Sequence, residues 1–413
     1  MISLFNIALF SLMPISMIIG NLVLNLNIIL IILAMLVKTF DERKLEWTKN
    51  EIFKILIILY IYLVLNSIYN FYNNPNYGID GIIRSIGFIK FIFLTFSFQL
   101  LITKKNEINK IFLNWLIITL VVIFDVYFEL FFGKNIFGFQ SLDTTRIISF
   151  FYDESVVGAF IFAFSFILFA FFISKKLSFS KKLLLNLFLF FIPLSVLVTG
   201  ERSNFIKATL LFIVILFLLN SSFLILGKKK SVISFIIIIF LTIFLNENIY
   251  TKQTAFFKRI ITDQKTTNFT TRFENIKYFS HYDVAFEIFK DNPLIGVGNK
   301  NFRKECSNEI YFKKEKKFST QRCTTHPHQV HFELLSEQGL IGYILFFYLM
   351  FVFLKRNFKK YYYNENIFGY SLNFYLLIFL IPLLPGGSIF STLNGSLFWI
   401  IFSLANFENK FKV

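Results

Sequence analysis

Charged residues are scarce in this chain of 413 residues: they make up 16% of it, whereas apolar residues make up 56%. In soluble proteins about a quarter of the residues are charged, so this composition argues against a set of ordinary soluble domains. It predicts a polytopic membrane protein whose solvent is mostly lipid. The formal charge of +17 does not indicate a nucleic-acid partner, because lysine and arginine occur as short clusters between apolar runs and form no basic groove.

The amino terminus lacks the features of a cleaved leader. Residues 1–7 contain no basic residue and are not followed by a convincing small-residue cleavage site. We expect this stretch to be an uncleaved first span.

Apolar runs of about 17 to 24 residues, the length that a helix needs to cross a bilayer, recur through most of the chain. They fall at about 3–19, 21–37, 52–69, 82–102, 111–131, 155–173, 183–198, 203–226, 231–247, 332–354, 367–384 and 388–405. The sequence therefore predicts an all-α membrane protein with about twelve transmembrane helices.

Basic residues mark every second connection between these runs. The basic connections lie near residues 38–49, 104–110, 175–182, 228–230, 355–360 and 410–412, whereas the alternate short connections contain only Lys134, Arg146 and Arg202. Because basic loops favour the cytoplasm, both termini are predicted to be cytoplasmic. The resulting division is transmembrane helices over 1–247, one large outward loop over 248–331, and transmembrane helices with a cytoplasmic tail over 332–413.

Both cysteines, Cys306 and Cys323, lie in the outward loop. In an oxidising compartment they can form a disulfide, which would stabilise the loop by roughly 3 kcal/mol. A zinc site with His326 and His328 is the alternative, but the ligand spacing is not a usual one and no second compact pair of ligands exists. The third interpretation is that Cys306 and Cys323 are both free thiols.

The rest of the outward loop predicts helices and a turn. The stretch from residue 271 to residue 293 has apolar residues at helical spacing, which indicates an amphipathic helix pair lying on the membrane. Gly296 and Gly298 follow without a preceding strand or a third glycine, so they indicate a turn and no nucleotide-binding loop.

Arginines at the outward ends of the spans are candidates for anion binding, because ionisable groups in the membrane are costly and usually functional. Arg202 lies in the very short turn formed by residues 198–204. It either extends its charge to the interface or binds an anion, for which its planar fork suits phosphate oxygens. Several such arginines around one point would fit a diphosphate.

His328 is the candidate catalytic base, because an imidazole titrates near neutral pH and can accept a proton from a hydroxyl. His326 and His331 are close in sequence at the mouth of the tenth apolar run. We expect His331 at the start of a helix, Glu333 in a position to orient an imidazole, and Glu337 at the membrane interface.

The stretch from His328 to Gly342 resembles the O-antigen ligase and O-antigen polymerase family of membrane glycosyltransferases. The ligase pattern is His, then Asn, Ser or Gln, nine residues, Gly, two residues, and Gly, Thr or Tyr; His328, Gln329, Gly339 and Gly342 fit it throughout. Further similarity lies in residues 291–302, 199–202, 146–158 and 385–388. Cys306 and Cys323 are not part of the pattern.

The resemblance implies a GT-C-like fold of twelve helices with a large periplasmic loop, in a bacterial inner membrane. It implies an inverting, metal-independent transfer that needs no cofactor. The donor would be a glycan linked to undecaprenyl diphosphate, and the acceptor lipid A-core for a ligase or a second lipid-linked repeat for a polymerase, both among membrane lipids. By position His328 would be the base, Arg202 and Arg272 would hold the diphosphate, and the substrate would also contact Arg146, His326, Gln329 and Glu333.

Other functions are less well supported by the sequence. Protein glycosylation by a related enzyme is a third alternative within the same class. A lipid transporter or flippase would need charges at mid-membrane and two related halves with broken helices, and neither is evident in the sequence.

Overall fold

The computed structural model describes residues 2–43, 45–141, 146–152, 156–175, 177–219, 224–247, 249–251, 254, 277–312, 322–364 and 366–407. These residues are helical or irregular, and no strand occurs among them. The predicted all-α class is confirmed for this part of the chain.

Each of the twelve apolar runs contains at least one helix among the described residues. We number the helices α1 (Ile2–Ser11), α2 (Met13–Ile19), α3 (Asn21–Asp41), α4 (Glu51–Asn73), α5 (Asp80–Gly87), α6 (Ile89–Leu101), α7 (Lys105–Phe132), α8 (Val157–Ile173), α9 (Phe179–Val198), α10 (Arg202–Leu218), α11 (Gly227–Leu245), α12 (Lys277–Asp291), α13 (Phe302–Glu305), α14 (Val330–Asn364), α15 (Ile367–Phe379) and α16 (Thr392–Asn406).

Two of the predicted runs are pairs of helices. The first divides at Leu12, where Pro14 occupies the first turn of α2, a position in which its missing N–H costs nothing. The fourth divides at Phe88 between α5 and α6. Pattern alone indicated one helix in each case, because the residue at each division, Leu12 or Phe88, is itself apolar.

Six segments among the described residues are long and apolar enough to cross a membrane. They are Asn21–Asp41, Glu51–Asn73, Asp80–Leu101, Lys105–Phe132, Phe179–Val198 and Val330–Lys360, while the apolar helices Val157–Ile173 and Ile367–Phe379 are shorter. A polytopic membrane protein is consistent with this result, and the count of twelve spans stays a prediction.

Helix α8 lies at the centre of the helical core. Nearly all of its side chains are buried, as expected for a helix that is apolar all round, and it packs against α7, α9 and α15. Phe164 of α8 meets Trp115 of α7 edge to face, with ring centroids 5.2 Å apart.

The described part of residues 248–331, called here the outward segment after its predicted orientation, forms most of a second, smaller core. Val284, Ala285 and Ile288 of α12 are buried with Phe302 and Cys306, and α12 packs against α14. The predicted amphipathic pair is thus a single helix over the described residues, with its apolar face against the protein. Residues 271–276, the first part of that pair, lie outside the described residues.

Candidate active site

A break in α14 brings the outward segment against the start of this helix. Gly339 has φ 62° and ψ −168°, a conformation open essentially to glycine alone. At the break the N–H groups of Leu340 and Ile341 donate to the carbonyls of Pro293 and Leu294 at 2.8 and 3.1 Å. The turn at residues 292–298 therefore supplies acceptors for N–H groups that the break frees from the helix.

The same turn also satisfies carbonyls on the other side of the break. The N–H groups of Val297 and Gly298 donate to Ser336 O and Glu337 O at 3.0 and 2.8 Å. A Cβ on Gly296 would lie 2.6 Å from Ser336 O, so only glycine allows the two backbones to approach this closely. The two glycine-containing stretches of the sequence form one structural unit, and residues 296–298 are a turn as predicted.

Gln329 caps the helix that this unit positions. Its side-chain oxygen accepts from the N–H groups of His331 and Phe332 at 2.7 and 3.1 Å, as an N-cap residue does. Its amide nitrogen donates to Ile381 O at 3.4 Å. The structure thus places Gln329, a predicted substrate contact, in hydrogen bonds within the protein.

His331 is likewise engaged at both ring nitrogens. Nε2 lies 2.8 Å from Leu380 O, and Nδ1 lies 2.9 Å from the hydroxyl of Tyr343. Because a carbonyl only accepts, Nε2 donates to Leu380 O, and Nδ1 shares the second hydrogen bond with the Tyr343 hydroxyl. These bonds suit the expected position of His331 at the start of a helix.

Three other imidazoles cluster outside the helix mouth. The ring centroids of His326 and His328 are 4.1 Å apart, and those of His281 and His328 are 5.6 Å apart. Tyr278 meets His328 edge to face at 5.6 Å. His281 was not among the predicted site residues, since the sequence around it contains no motif; its only signal is a place on the inner face of an amphipathic helix.

Burial and neighbouring positive groups keep these rings neutral. Burial, reinforced by His326 and His281, lowers the pKa of His328 to about 3, and burial, reinforced by the charge of Arg84, lowers the pKa of His326 to about 4. At neutral pH each ring therefore has a free lone pair and can accept a proton.

The backbone of His328 is held in an uncommon conformation. Its φ is 58°, in the left-handed region, which costs a residue with a side chain on the order of 1 kcal/mol. Its carbonyl accepts a hydrogen bond of 2.7 Å from Gly386 N, and its Nε2 lies 3.5 Å from Thr324 Oγ1. The neighbouring turn thus helps to set where this imidazole lies.

Arg146 lies on a segment fixed by two buried carboxylates of α7. Asp125 and Glu129 accept hydrogen bonds from the hydroxyl and the N–H of Ser149 at 2.6 and 2.7 Å. The N–H of the residue after Arg146 donates to Thr199 O at 3.3 Å. The charge of Arg146 contributes to the lowered pKa of His328, so these two predicted site residues interact electrostatically.

Arg202 begins α10, and the hydroxyl of Ser203 beside it donates to Pro385 O. Pro385 precedes Gly386, whose N–H binds the carbonyl of His328. The start of the Arg202 helix and the candidate base therefore contact the same turn. Arg272, the other predicted diphosphate ligand, lies outside the described residues.

Glu201, just before Arg202, is a partly buried residue whose carboxyl has a raised pKa. It accepts hydrogen bonds of 2.6 Å from Gly158 N and from Asn204 Nδ2. Burial raises its pKa to about 7, although these bonds and the charge of Arg146 act in the opposite direction. Its ionisation changes the charge beside the arginines over the physiological pH range.

Glu333 pairs with an arginine that the site prediction did not include. Its buried carboxylate accepts from the hydroxyl of Ser388 and lies 3.5 Å from Arg84 Nη2. Among the described residues its side chain interacts with Arg84, Ser388 and the backbone of Ile389, and none of these partners is an imidazole ring. Nothing in the sequence around Arg84 singles it out, because its partners are far away along the chain.

Glu337 differs from its expected place at the membrane interface. Its side chain is fully buried, and the N–H of Phe302 lies 3.4 Å from one of its oxygens. The prediction was wrong because the outward segment covers this turn of α14.

The loop that carries His326 and His328 is anchored by a disulfide and an ion-pair cluster. Cys306 and Cys323 form the disulfide, with Cα atoms 5.1 Å apart. Arg322 is buried and binds Asp283 and Glu287 of α12 at 2.7 and 2.9 Å. Within the described part of the chain, no group of three or more His, Cys, Asp or Glu side chains is arranged to hold a metal ion.

Comparison with known proteins adds an independent observation. Residues 185–347 match the sequence model of a family described as O-antigen ligase. No curated protein matches the chain significantly. The matched residues include the Arg202 turn, α12, the histidine cluster and the break in α14. This match over residues 185–347 supports the O-antigen ligase and polymerase family that the sequence resembles.

Proposed function

We propose that the protein is an O-antigen ligase-type glycosyltransferase of a bacterial inner membrane. It moves a glycan from undecaprenyl diphosphate to a sugar hydroxyl of lipid A-core at the periplasmic face. The observation that carries this proposal is the packing of the His328 ring against that of His326, with centroids 4.1 Å apart, within the segment that matches the family.

The reaction is one nucleophilic displacement. The acceptor oxygen attacks the anomeric carbon of the donor sugar from the face opposite the diphosphate, so the configuration inverts. The bond from that carbon to the diphosphate oxygen breaks, and its electron pair leaves with the phosphate. His328 accepts the proton of the acceptor hydroxyl, which its neutral state permits.

The departing diphosphate gains negative charge, which Arg202, Arg272 and Arg146 stabilise. Fixed cations aimed at developing charge commonly supply the largest part of catalysis, and a planar guanidinium can bind two phosphate oxygens at once. In this proposal the arginines take the place of a metal ion.

His326 is a further substrate contact in this proposal. Its ring centroid lies 4.1 Å from that of His328, so a sugar that reaches one imidazole also reaches the other. Gln329 and Glu333 act indirectly, because their side chains already bind within the protein.

Transfer by purified protein in liposomes, with a polyprenyl-diphosphate-linked glycan as donor, tests the role of His328. His328→Ala should lower kcat by about 100-fold or more, the usual worth of a general base. His331→Asn is the matched control: it removes an imidazole that bonds only within the protein and should affect stability more than turnover. Wild-type transfer by His328→Ala would exclude His328 as the base.

Arg202→Lys tests the leaving-group role in the same assay. The charge survives but the two-pronged geometry does not, so we expect a loss of about tenfold or more in kcat, since removing one transition-state donor costs at least this much. Undiminished kcat in Arg202→Lys would remove Arg202 from the diphosphate site.

The polymerase is the alternative within the same family, with a second lipid-linked repeat as acceptor. A deletion strain separates the two: long chains that accumulate on the lipid carrier indicate a ligase, whereas single repeats indicate a polymerase. Turnover of the donor by purified protein would exclude a transporter or flippase.

A further inference from the structure

We infer that the turn at residues 385–388, here called the PGGS turn, is the positioning element of the active site, and that Ser388 and Glu333 are positioning residues for His328. This inference rests on the proposed role of His328 as the base.

The PGGS turn contacts the backbone of His328 directly. Gly386 N donates to His328 O at 2.7 Å, and His328 has φ 58°. This bond orients the peptide group that follows the histidine. Because His328 is in a less favoured backbone region, the surrounding contacts must hold it there, and a shift of the PGGS turn would move the imidazole.

The Ser388 end of the PGGS turn is held by the charged side chains of Glu333 and Arg84. The Ser388 hydroxyl donates to Glu333 Oε1 and accepts from Arg84 Nη2, and it also accepts from Phe390 N at 3.1 Å. Arg84 Nε lies 3.4 Å from Phe390 O. Ser388 and Glu333 are 3% and 1% exposed, so water does not screen this network and each partner matters to the others.

The Pro385 end of the PGGS turn is held by side chains of α10. The Ser203 hydroxyl donates to Pro385 O, and Lys207 Nζ, one helical turn later, donates to the same oxygen at 3.3 Å. A Cβ on Gly386 would lie 3.1 Å from Lys207 Nζ, so the turn and the helix pack closely. The PGGS turn therefore fixes the start of the Arg202 helix relative to His328.

These contacts join four parts of the chain that are distant in sequence: α5, α10, the start of α14 and the loop before α16. None of the side-chain atoms of Ser388 and Glu333 needs to touch substrate for this role. Loss of the Ser388 hydroxyl should therefore displace the base and lower turnover, with little effect on how tightly the donor binds.

Ser388→Ala in the full-length protein in liposomes is the test. We expect kcat to fall by about 10- to 100-fold, the cost of misplacing a catalytic group by a fraction of an ångström to 1 Å, and KM for the lipid-linked donor to stay within about twofold, because uniform binding is unchanged. Selective ¹⁵N labelling of the four histidines should show a shifted His328 signal. Ser388→Thr, which restores the hydroxyl, should recover turnover.

Ser403→Ala is the matched control. Ser403 is equally buried, at 3% exposure, but its hydroxyl donates to Leu94 O of α6 at 2.8 Å, away from the PGGS turn. It should leave kcat and the His328 signal unchanged. An equal fall in kcat with Ser403→Ala would show a general packing effect and overturn the inference.

Two other results would contradict the positioning role of Ser388 and leave the proposed function of the protein unaffected. One is wild-type kcat and an unshifted His328 signal in Ser388→Ala while His328→Ala is inactive. The other is a raised KM at unchanged kcat, which would mean that Ser388 binds the donor. Wild-type transfer by His328→Ala, in contrast, refutes the proposed base itself.

Glu333→Gln keeps the inference testable if Ser388→Ala does not fold. The amide retains an oxygen that can accept from Ser388, but it loses the charge opposite Arg84. We expect a smaller fall in kcat at unchanged KM and a His328 shift in the same direction. Wild-type kcat with an unshifted His328 signal would contradict the role of Glu333.

Discussion

His328 and His326 are neutral because they are buried beside positive groups, which lowers their pKa values to about 3 and about 4. A neutral imidazole can accept a proton without first losing one. A low pKa also makes it a weaker base, so the arginines must supply much of the stabilisation of the transition state in the proposed reaction.

The pH dependence of transfer distinguishes His328 from Glu201. His328 stays neutral at every pH well above 3, so its ionisation should not affect kcat/KM between pH 5 and 8. Glu201, with a pKa of about 7, is neutral below that pH and ionised above it. A change in kcat/KM near pH 7 should therefore occur in the wild type and disappear in Glu201→Gln.

An acidic limb with a pKa near 6.5 that survives in Glu201→Gln would contradict this assignment. It would mean that a histidine with an ordinary pKa controls the rate. The measurement is kcat/KM for the lipid-linked donor in the two proteins across this pH range.

At the scale of the element, the break in α14 explains why the sequence pattern contains its glycines. Gly339 has a backbone conformation closed to other residues. A Cβ on Gly342 would lie 2.5 Å from the Cβ of Gln338 and 2.7 Å from a ring carbon of Tyr62. Gly339 makes the break in α14. Gly342 allows this part of α14 to pack closely against Tyr62 of α4 and against Gln338 in the preceding turn of α14.

Gly339→Ala should destabilise the protein strongly. The new Cβ would lie 2.3 Å from Leu294 O, and the backbone conformation would itself cost about 1 to 3 kcal/mol. Gly87→Ala is the control, because nothing lies within 4 Å of a Cβ there and its φ is not positive. Thermal unfolding in detergent should show a large fall in Tm for the first variant and almost none for the second, and equal values would contradict the packing argument.

At the scale of the whole molecule, the orientation in the membrane decides whether the histidine cluster meets periplasmic substrates. The basic connections predict which side faces the cytoplasm. Asn76 follows α4 on the same side as the histidine cluster in this prediction, and Lys229 lies on the opposite side; both are exposed.

Labelling of intact cells with a membrane-impermeant maleimide tests this orientation. Asn76→Cys should react, and Lys229→Cys should react only after the cells are opened. The native cysteines are joined in a disulfide and should contribute little background. The reverse pattern would place the site in the cytoplasm, where the proposed acceptor is not displayed.

Local sequence was enough to predict the features that depend on local chemistry. Apolar runs predicted the helices, because each helix satisfies its own backbone hydrogen bonds in lipid. The pattern from His328 to Gly342 pointed to the family. It could not indicate that Glu337 is buried or that Gln329 caps a helix, because both depend on what packs against α14.

The site partners that sequence reasoning missed come from distant parts of the chain. Arg84 is on α5 and His281 is on α12, and neither lies in a recognisable motif. Their nearness to His326 and His328 arises only when the outward segment docks on the break in α14.

The sequence by itself determined that this is an all-helical, membrane-type chain and which segment resembles a ligase, because hydrophobicity and glycine spacing act over a few residues. Only the tertiary structure decided which charged groups meet. Burial at the junction of α5, α10, α14 and the PGGS turn removes water from Glu333, Ser388 and the histidines. Because a buried polar group is costly unless it is hydrogen-bonded, these groups bind to other groups of the protein.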